Sequence, residues 1–158
     1  MIFLDIDGTL INFYSTAIKF GIELKVNEFG RWDWGKPPYP TPEEFYAKTE
    51  LQPWASNLIL EILLIGELPV LITKDYAQIK WKHLNEKSKL MNDISCEGFR
   101  LFEAPNKAEH CRCPVDFLID DNYNECEAWR EKGGIAHHFD LASDSPFENF
   151  LKYWNIRK

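Results

Sequence analysis

The segment Asp5-Ile6-Asp7-Gly8-Thr9 combines two carboxylates, a glycine and a hydroxyl directly after an apolar run. A turn at Gly8 lets the Asp5 and Asp7 side chains converge on one pocket, and it lets the backbone approach a ligand closely. Two buried anions this close together are costly without a cation. Because only oxygen ligands are offered, a divalent ion such as Mg2+ fits the segment better than zinc. Thr9 adds a hydroxyl donor.

Four polar residues further along the chain can serve the same pocket. The Thr73 hydroxyl and the amides after it can bind a phosphoryl oxygen. Lys107 can neutralise both the carboxylates and an anionic substrate, while Asp120 and Asp121 add negative charge that a cation would balance. Taken singly, each residue fits an ordinary cap, loop or surface role. In this order along the chain, they predict a shared site.

Short apolar runs alternate with amphipathic segments, which predicts an α/β fold whose parallel strands are separated by helices. Strands are predicted over residues 2–6, 70–72, 115–119 and 135–138. Helices are predicted after the caps Ser56 and Asp75, over residues 125–132, and after the capping box that begins at Ser145. The first three strands all end at the polar residues described above. Because ligands bind at the carboxyl edge of such sheets, the site is expected there.

The segment from about residue 13 to residue 54 has a different composition. It holds ten aromatic residues and five prolines, the first of which is Pro37 and the last Pro53. Such a segment is too long and irregular for a simple connection, so we predict a small cap inserted into a core of residues 1–12 and 55–158. The capping box Thr41-Pro42-Glu43-Glu44 predicts a short helix within the cap.

Length, charge and hydropathy limit the possible functions. The 158 residues, 45% of them hydrophobic, fit one domain, and the net charge of -7 disfavours nucleic acid and anionic membrane surfaces as partners. The most apolar stretch, residues 58–65, contains Glu61 and ends at Gly66, far short of the roughly 20 residues that span a bilayer. We therefore expect a cytoplasmic protein without a membrane partner.

The four cysteines, Cys96, Cys111, Cys113 and Cys126, are expected to be free thiols in a reducing compartment. A zinc site at Cys111 and Cys113, with nearby histidines, is a weaker alternative. One intervening residue is not the usual zinc-finger spacing, and no second cysteine pair follows.

The order of these motifs resembles the haloacid dehalogenase-like (HAD) phosphatase superfamily. Its four motifs are matched by Asp5-Ile6-Asp7-Gly8-Thr9-Leu10, Thr73, Lys107 and Asp120-Asp121. The resemblance covers essentially the whole chain. It implies a three-layer, Rossmann-like parallel sheet with a small helical cap inserted after the first strand.

A closer resemblance is to the 5'(3')-deoxyribonucleotidase family and its bacterial and phage relatives. It is carried by Phe13, Trp32-Asp33-Trp34 and Glu43-Glu44-Phe45-Tyr46. This resemblance implies a Mg2+-dependent phosphomonoesterase that acts on a small phosphomonoester, a (deoxy)nucleoside monophosphate.

The resemblance also implies a role for each motif residue. Asp5 is the nucleophile, Asp7 the general acid and base, and Thr73 and Lys107 stabilise the phosphoryl group. The metal is held by the Asp5 side chain, the Asp7 carbonyl and Asp121, with Asp120 behind them. The expected substrate contacts are Gly8, Thr9, Phe13 and Lys74.

Three other functions are left open, the first of which is a phosphatase of other small molecules. A 3'-phosphatase of nucleic acid ends also uses paired aspartates, but the acidic charge and the lack of a basic groove disfavour it. A catalytically silent phosphate-binding module is the alternative outside enzymes, and the full set of motif residues argues against it. The oligomeric state is open, a homodimer included.

Overall fold

The computed structural model describes residues 1–22, 25–26, 32–33, 40–95 and 100–155. Its strands are β1 (Ile2–Asp5), β2 (Lys25–Val26), β3 (Trp32–Asp33), β4 (Val70–Thr73), β5 (Arg100–Glu103), β6 (Phe117–Asp120) and β7 (Ile135–His138). Its helices are α1 (Phe13–Lys19), α2 (Pro42–Lys48), α3 (Ala55–Leu63), α4 (Ala77–Lys87), α5 (Lys89–Ser95), α6 (Tyr123–Glu131) and α7 (Pro146–Asn155), with a 3-10 helix over Lys107–His110.

Five of these strands form one sheet in the order β5-β4-β1-β6-β7, and every neighbouring pair is parallel. The chain builds one half of the sheet outward from β1 and then crosses to β6 to build the other half. This is the Rossmann-like arrangement, so the predicted α/β class is confirmed.

Both faces of the sheet are covered, which explains why its central strands are apolar at consecutive positions. Ile2 and Leu4 of β1 belong to a large hydrophobic cluster shared with α3 and α7, whereas Phe3 belongs to a smaller cluster on the opposite face. There the Phe3 ring lies 4.9 Å from the ring of Trp129 on α6. The alternation of side chains along one strand therefore produces the three layers.

Several predicted boundaries are wrong. The third predicted strand begins at Phe117, because Val115 is 71% exposed and precedes the sheet. Ser56 and Asp75 do not cap helices: Trp54 occupies the N-cap of α3 and Tyr76 that of α4. The predicted helix beyond Asp75 is interrupted at Ser88, which has extended backbone between α4 and α5.

The segment predicted as a cap contains α1, α2 and a two-stranded antiparallel sheet of β2 and β3, which the sequence did not predict. The capping box is present: the Thr41 hydroxyl accepts from Glu44 N, and the Glu44 carboxylate accepts from Thr41 N. Phe13 and Phe45 join the large cluster that covers the sheet. Trp34 lies outside the described residues, and the division of the chain at residues 13 and 54 stays a prediction.

Within the part of the chain that the structure describes, no helix has both the length and the apolar content needed to cross a bilayer. Cys111, Cys113 and Cys126 are free thiols, and Cys96 lies outside the described residues.

Candidate active site

The candidate site lies where the strand order of the sheet changes direction, beside β1. Asp5, Thr73 and Asp120 are the last residues of β1, β4 and β6, three adjacent parallel strands. Parallel strands end at the same edge of the sheet, so these three side chains are brought together although they are far apart in the chain. Such a position is the usual ligand-binding crevice of an open parallel sheet.

The loop after β1 is a tight turn in which Leu10 N and Ile11 N both donate to Ile6 O, at 2.9 and 3.1 Å. Gly8 has a φ of +79°, and a Cβ added there would lie 2.3 Å from Asp121 Oδ2. Glycine is therefore required at this position both for the backbone conformation and for the approach of the Asp121 carboxylate.

Two residues that the sequence did not reveal as part of the site hold this loop. Gln52 Nε2 donates to Gly8 O at 2.8 Å, and Trp54 Nε1 donates to Thr9 O at 2.9 Å. Both precede α3 and resemble ordinary linker residues in the sequence. Thr9 itself is fully buried, and its hydroxyl has no hydrogen-bond partner among the described residues.

The first group of charged side chains, here called the Lys107 cluster, consists of Lys107, Asp5, Asp120 and Asp121. Lys107 Nζ donates to Asp5 Oδ1, and it donates to Asp120 Oδ2 at 2.7 Å. One oxygen from each of the three aspartates lies within 4.8 Å of the other two. The cluster therefore packs three carboxylates around one ammonium group.

Burial dominates the electrostatics of the Lys107 cluster. It raises the pKa of Asp5 well above the ordinary value, and Lys107 offsets only part of this shift. Burial, together with the Asp120 charge, raises the pKa of Asp121 to about 7. For Lys107, burial alone would lower the pKa, but Asp120 and Asp5 outweigh it and raise the pKa. Two negative charges stay uncompensated when all four groups are ionised.

The donor set of the Lys107 cluster fits a hard divalent cation, because it offers carboxylate oxygens and excess negative charge. Among the described residues, the three aspartates are the one group of three or more potential metal ligands. Both Asp120 oxygens already accept hydrogen bonds, from Lys107 and from Asn122 N at 2.8 Å. Asp121 Oδ2 accepts from the Tyr14 hydroxyl at 2.9 Å. Asp120 is thus the most saturated of the three carboxylates.

The second group, here called the Lys80 cluster, consists of Lys80, Asp7, Thr73 and Asp75. Lys80 is 1% exposed, and its Nζ donates to Asp7 Oδ2 at 2.6 Å, Thr73 Oγ1 at 2.7 Å and Asp75 Oδ1 at 2.9 Å. The Tyr46 hydroxyl, from the cap, lies 3.4 Å from Asp7 Oδ2. The other Asp7 oxygen, Oδ1, is buried and has no partner among the described residues.

Charge pairing also controls the pKa values in the Lys80 cluster. Burial raises the pKa of Asp7, and the Lys80 charge opposes this shift. For Lys80, burial alone would lower the pKa, but Asp7 and Asp75 more than offset it. Lys80 could not be recognised as a site residue from sequence, because a lysine in an amphipathic helix normally lies on the solvated face.

The other two predicted substrate contacts, Lys74 and Phe13, lie in different surroundings. Lys74 Nζ pairs with Glu125 Oε1 at 2.6 Å near the carboxyl edge of the sheet. Phe13 is 0% exposed, and its ring centroid lies 5.2 Å from that of Phe45. The Phe13 ring is enclosed by the core in this structure, and its contact with substrate stays a prediction.

An open cleft of about 540 Å3 borders Asp121. Aromatic side chains from three regions line it, namely Tyr14, Trp54 and His138. The described lining also includes Asn12, Ser15, Gln52 and Asp140, but no lysine or arginine. The cleft is therefore suited to a neutral polar or aromatic group rather than to an anion.

Comparison with known proteins gives one match to report among solved structures. No protein-family model and no curated protein matches the chain. The chain is similar to the crystal structure of a HAD family hydrolase from Deinococcus radiodurans R1 with bound phosphate and sodium. The two share 13% sequence identity with a TM-score of 0.45, and the match covers 85% of this chain and 78% of that chain.

Proposed function

We propose that the chain is a Mg2+-dependent phosphomonoesterase of the haloacid dehalogenase-like type. The observation that carries the proposal is the Lys107 cluster, in which two buried carboxylates, the half-buried carboxylate of Asp121 and one lysine meet at the carboxyl edge of the sheet. An excess of buried negative charge favours a hard cation, and a cation beside a carboxylate nucleophile is suited to attack on a phosphate ester.

Asp5 is the proposed nucleophile. One of its oxygens, Oδ1, accepts from Lys107, which leaves Oδ2 to attack phosphorus and form an aspartyl-phosphate. Asp7 gives a proton to the leaving oxygen and later removes one from the attacking water. The carboxylates of Asp5 and Asp121 and the Asp7 carbonyl would hold Mg2+, with Asp120 supporting them through Lys107. When bound, the ion would offset charge on the carboxylates and the phosphoryl oxygens.

Stabilisation of the transferring phosphoryl group is assigned to three kinds of donor. These are the Lys107 ammonium, the Thr73 hydroxyl and the backbone amides near Gly8. They come from the turn after β1, the end of β4 and the 3-10 helix that begins at Lys107. Removal of one such contact typically costs about a hundredfold to a thousandfold in rate.

For the alcohol part of the ester, the proposal is a nucleoside, so that the substrate is a (deoxy)nucleoside monophosphate. The cleft beside Asp121 supports this proposal through its size, its aromatic side chains and its lack of lysine and arginine among the described lining residues. Pockets of roughly 300–1,000 Å3 are typical of small-molecule sites. A second phosphate near Asp140 would be repelled, which disfavours a polynucleotide end.

The test is phosphate release from a panel of mononucleotides, sugar phosphates and 3'-phosphorylated oligonucleotides, with Mg2+ and with chelator. We expect turnover of mononucleotides that requires Mg2+. Turnover of oligonucleotide ends alone would instead support the 3'-phosphatase. No turnover of any ester would contradict the enzymatic proposal. Binding of phosphate without hydrolysis would then support the silent phosphate-binding module.

A further inference from the structure

We infer that Lys80 is a positioning residue, which holds Asp7 in place for proton transfer to the leaving group and orients the Thr73 hydroxyl. The inference rests on the proposed function and deepens it, because no motif of the sequence assigns a role to Lys80. It is drawn from three hydrogen bonds that one buried ammonium makes to Asp7, Thr73 and Asp75.

The Lys80 ammonium is saturated with hydrogen bonds. An ammonium has three protons, and here each has one acceptor within 2.9 Å. The Asp75 carboxylate takes one proton, which fixes the direction of the other two. Lys80 therefore joins Asp7 and Thr73 in one geometry and is not a mobile counter-charge.

The two oxygens of Asp7 differ in their contacts. Lys80 and the Tyr46 hydroxyl both approach Oδ2, whereas Oδ1 is buried without a partner among the described residues. A buried carboxylate oxygen without a hydrogen bond is costly in a folded protein. The arrangement fixes Asp7 through Oδ2 and leaves Oδ1 to exchange a proton with the leaving oxygen.

Thr73 also contacts the Lys80 ammonium. Its hydroxyl oxygen accepts from Lys80, so its own proton is directed to another acceptor. On the proposed mechanism that acceptor is a phosphoryl oxygen. One lysine thus orients both the group that protonates the leaving oxygen and a group that binds the phosphoryl unit.

Stability alone gives a weak reason for Lys80 to be buried. Replacement of a buried ion pair by apolar residues is often neutral or stabilising, because desolvation of the charges is expensive. The proton-transfer role gives a specific reason. When the bond from Asp5 to phosphorus forms and the ester P–O bond breaks, the electron pair passes to the leaving oxygen, which takes the Asp7 proton. An alkoxide needs that proton, whereas a nitrophenolate leaves without it.

The experiment compares an alkyl ester with an aryl ester, thymidine 5'-monophosphate and p-nitrophenyl phosphate, for wild type and Lys80→Met. We expect Lys80→Met to lose about a hundredfold more kcat on the alkyl ester than on the aryl ester, as for loss of general acid catalysis. Lys80→Arg should restore part of the alkyl rate. Thermal unfolding of each variant shows whether the fold is retained.

Lys87→Met is the matched control, because Lys87 lies on the same helix and its Nζ donates to Tyr46 O at 2.7 Å, outside the Lys80 cluster. Its rates on the two esters should change by the same factor. If Lys80→Met does not fold, Asp75→Asn replaces it and should give a smaller loss with the same alkyl selectivity.

The outcomes separate the two proposals. Equal losses on both esters, in Lys80→Met or in its substitute Asp75→Asn, would overturn the role of Lys80 and leave the phosphatase proposal intact. If wild type hydrolyses neither of the two esters, both proposals are contradicted. A selective loss in Lys87→Met as large as that in Lys80→Met would also overturn the role of Lys80, because the effect would then come from the helix as a whole.

Discussion

The Lys107 cluster and the Lys80 cluster use the same components and differ in charge balance. Each has a buried lysine that joins two aspartates near the carboxyl ends of adjacent strands. The Lys107 cluster adds a third carboxylate, Asp121, which borders the open cleft, whereas the Lys80 cluster faces Tyr46 of α2. Its excess negative charge makes the Lys107 cluster suitable for binding a cation and for reaction at phosphorus. The Lys80 cluster, closer to balance, is suited to hold proton-transfer groups in position.

The largest expected effect comes from Asp5→Asn, which removes the proposed nucleophile from the Lys107 cluster. The amide cannot accept the phosphoryl group, so kcat should fall by about a thousandfold or more. Steady-state phosphate release measures the loss. Thermal unfolding close to that of wild type would show that the fold is kept, and a rate near wild type would remove Asp5 from the nucleophile role.

The next largest expected effect is that of Lys107→Met, which distinguishes the proposed role of Lys107 from that of Lys80. Lys107 is proposed to stabilise charge on the phosphoryl group, which develops with every leaving group. We therefore expect a loss of about a hundredfold to a thousandfold that is similar for alkyl and aryl esters. The ratio of the two kcat values is the measurement. A loss confined to alkyl esters would assign Lys107 the proton-transfer role instead.

Mg2+ should stabilise the protein through the carboxylates of the Lys107 cluster. A ligand present at one hundred times its Kd and bound only to the folded state adds about 2.7 kcal/mol. Differential scanning calorimetry should therefore show a rise in Tm with Mg2+ for wild type and for Lys80→Met, and little or no rise for Asp121→Asn. A Mg2+-dependent rise that survives in Asp121→Asn would place the cation elsewhere.

The last predicted effect is the pH dependence of stability without metal. In the folded protein the pKa of Asp121 is about 7, against an ordinary value of 3.8, so the folded state holds this proton at higher pH than the unfolded chain does. The Asp121 contribution to the free energy of unfolding should therefore fall as pH rises from about 4 to about 7, by up to ~4 kcal/mol.

Chemical denaturation in chelator, over that pH range, compares wild type with Asp121→Asn. As the pH rises, the free energy of unfolding of wild type should fall relative to that of Asp121→Asn, because the variant has no ionisable group at this position. A difference that is constant with pH would show that Asp121 titrates normally in the folded protein.

Much of the candidate site could be predicted from sequence because several of its residues follow strongly apolar runs. β1, β4 and β6 are buried on both faces, so their ends were visible as the points where polar residues begin. Parallel strands then bring Asp5, Thr73 and Asp120 to one edge. β5 was missed because Arg-Leu-Phe-Glu has charged ends and occupies an edge of the sheet.

Lys80 could not be predicted, because its direction depends on where α4 begins. Tyr76 has a left-handed φ of 52°, and Glu103 Oε2 accepts from Ala77 N at 3.0 Å. These two features set the rotation of the helix so that Lys80 lies inward. Phe13 is also buried, and its ring packs against Phe45, so its predicted contact with substrate stays a prediction.

The central claim is that Asp5 accepts a phosphoryl group, and trapping of that covalent state tests it most directly. Wild type is mixed with an excess of Mg2+ and phosphoester, quenched in acid within one turnover, digested and analysed by mass spectrometry. We predict one phosphoryl group on the peptide that contains Asp5, and none when Asp5 is replaced by Asn. Turnover with no trapped phosphoryl group, or with the group on another residue, would contradict the account.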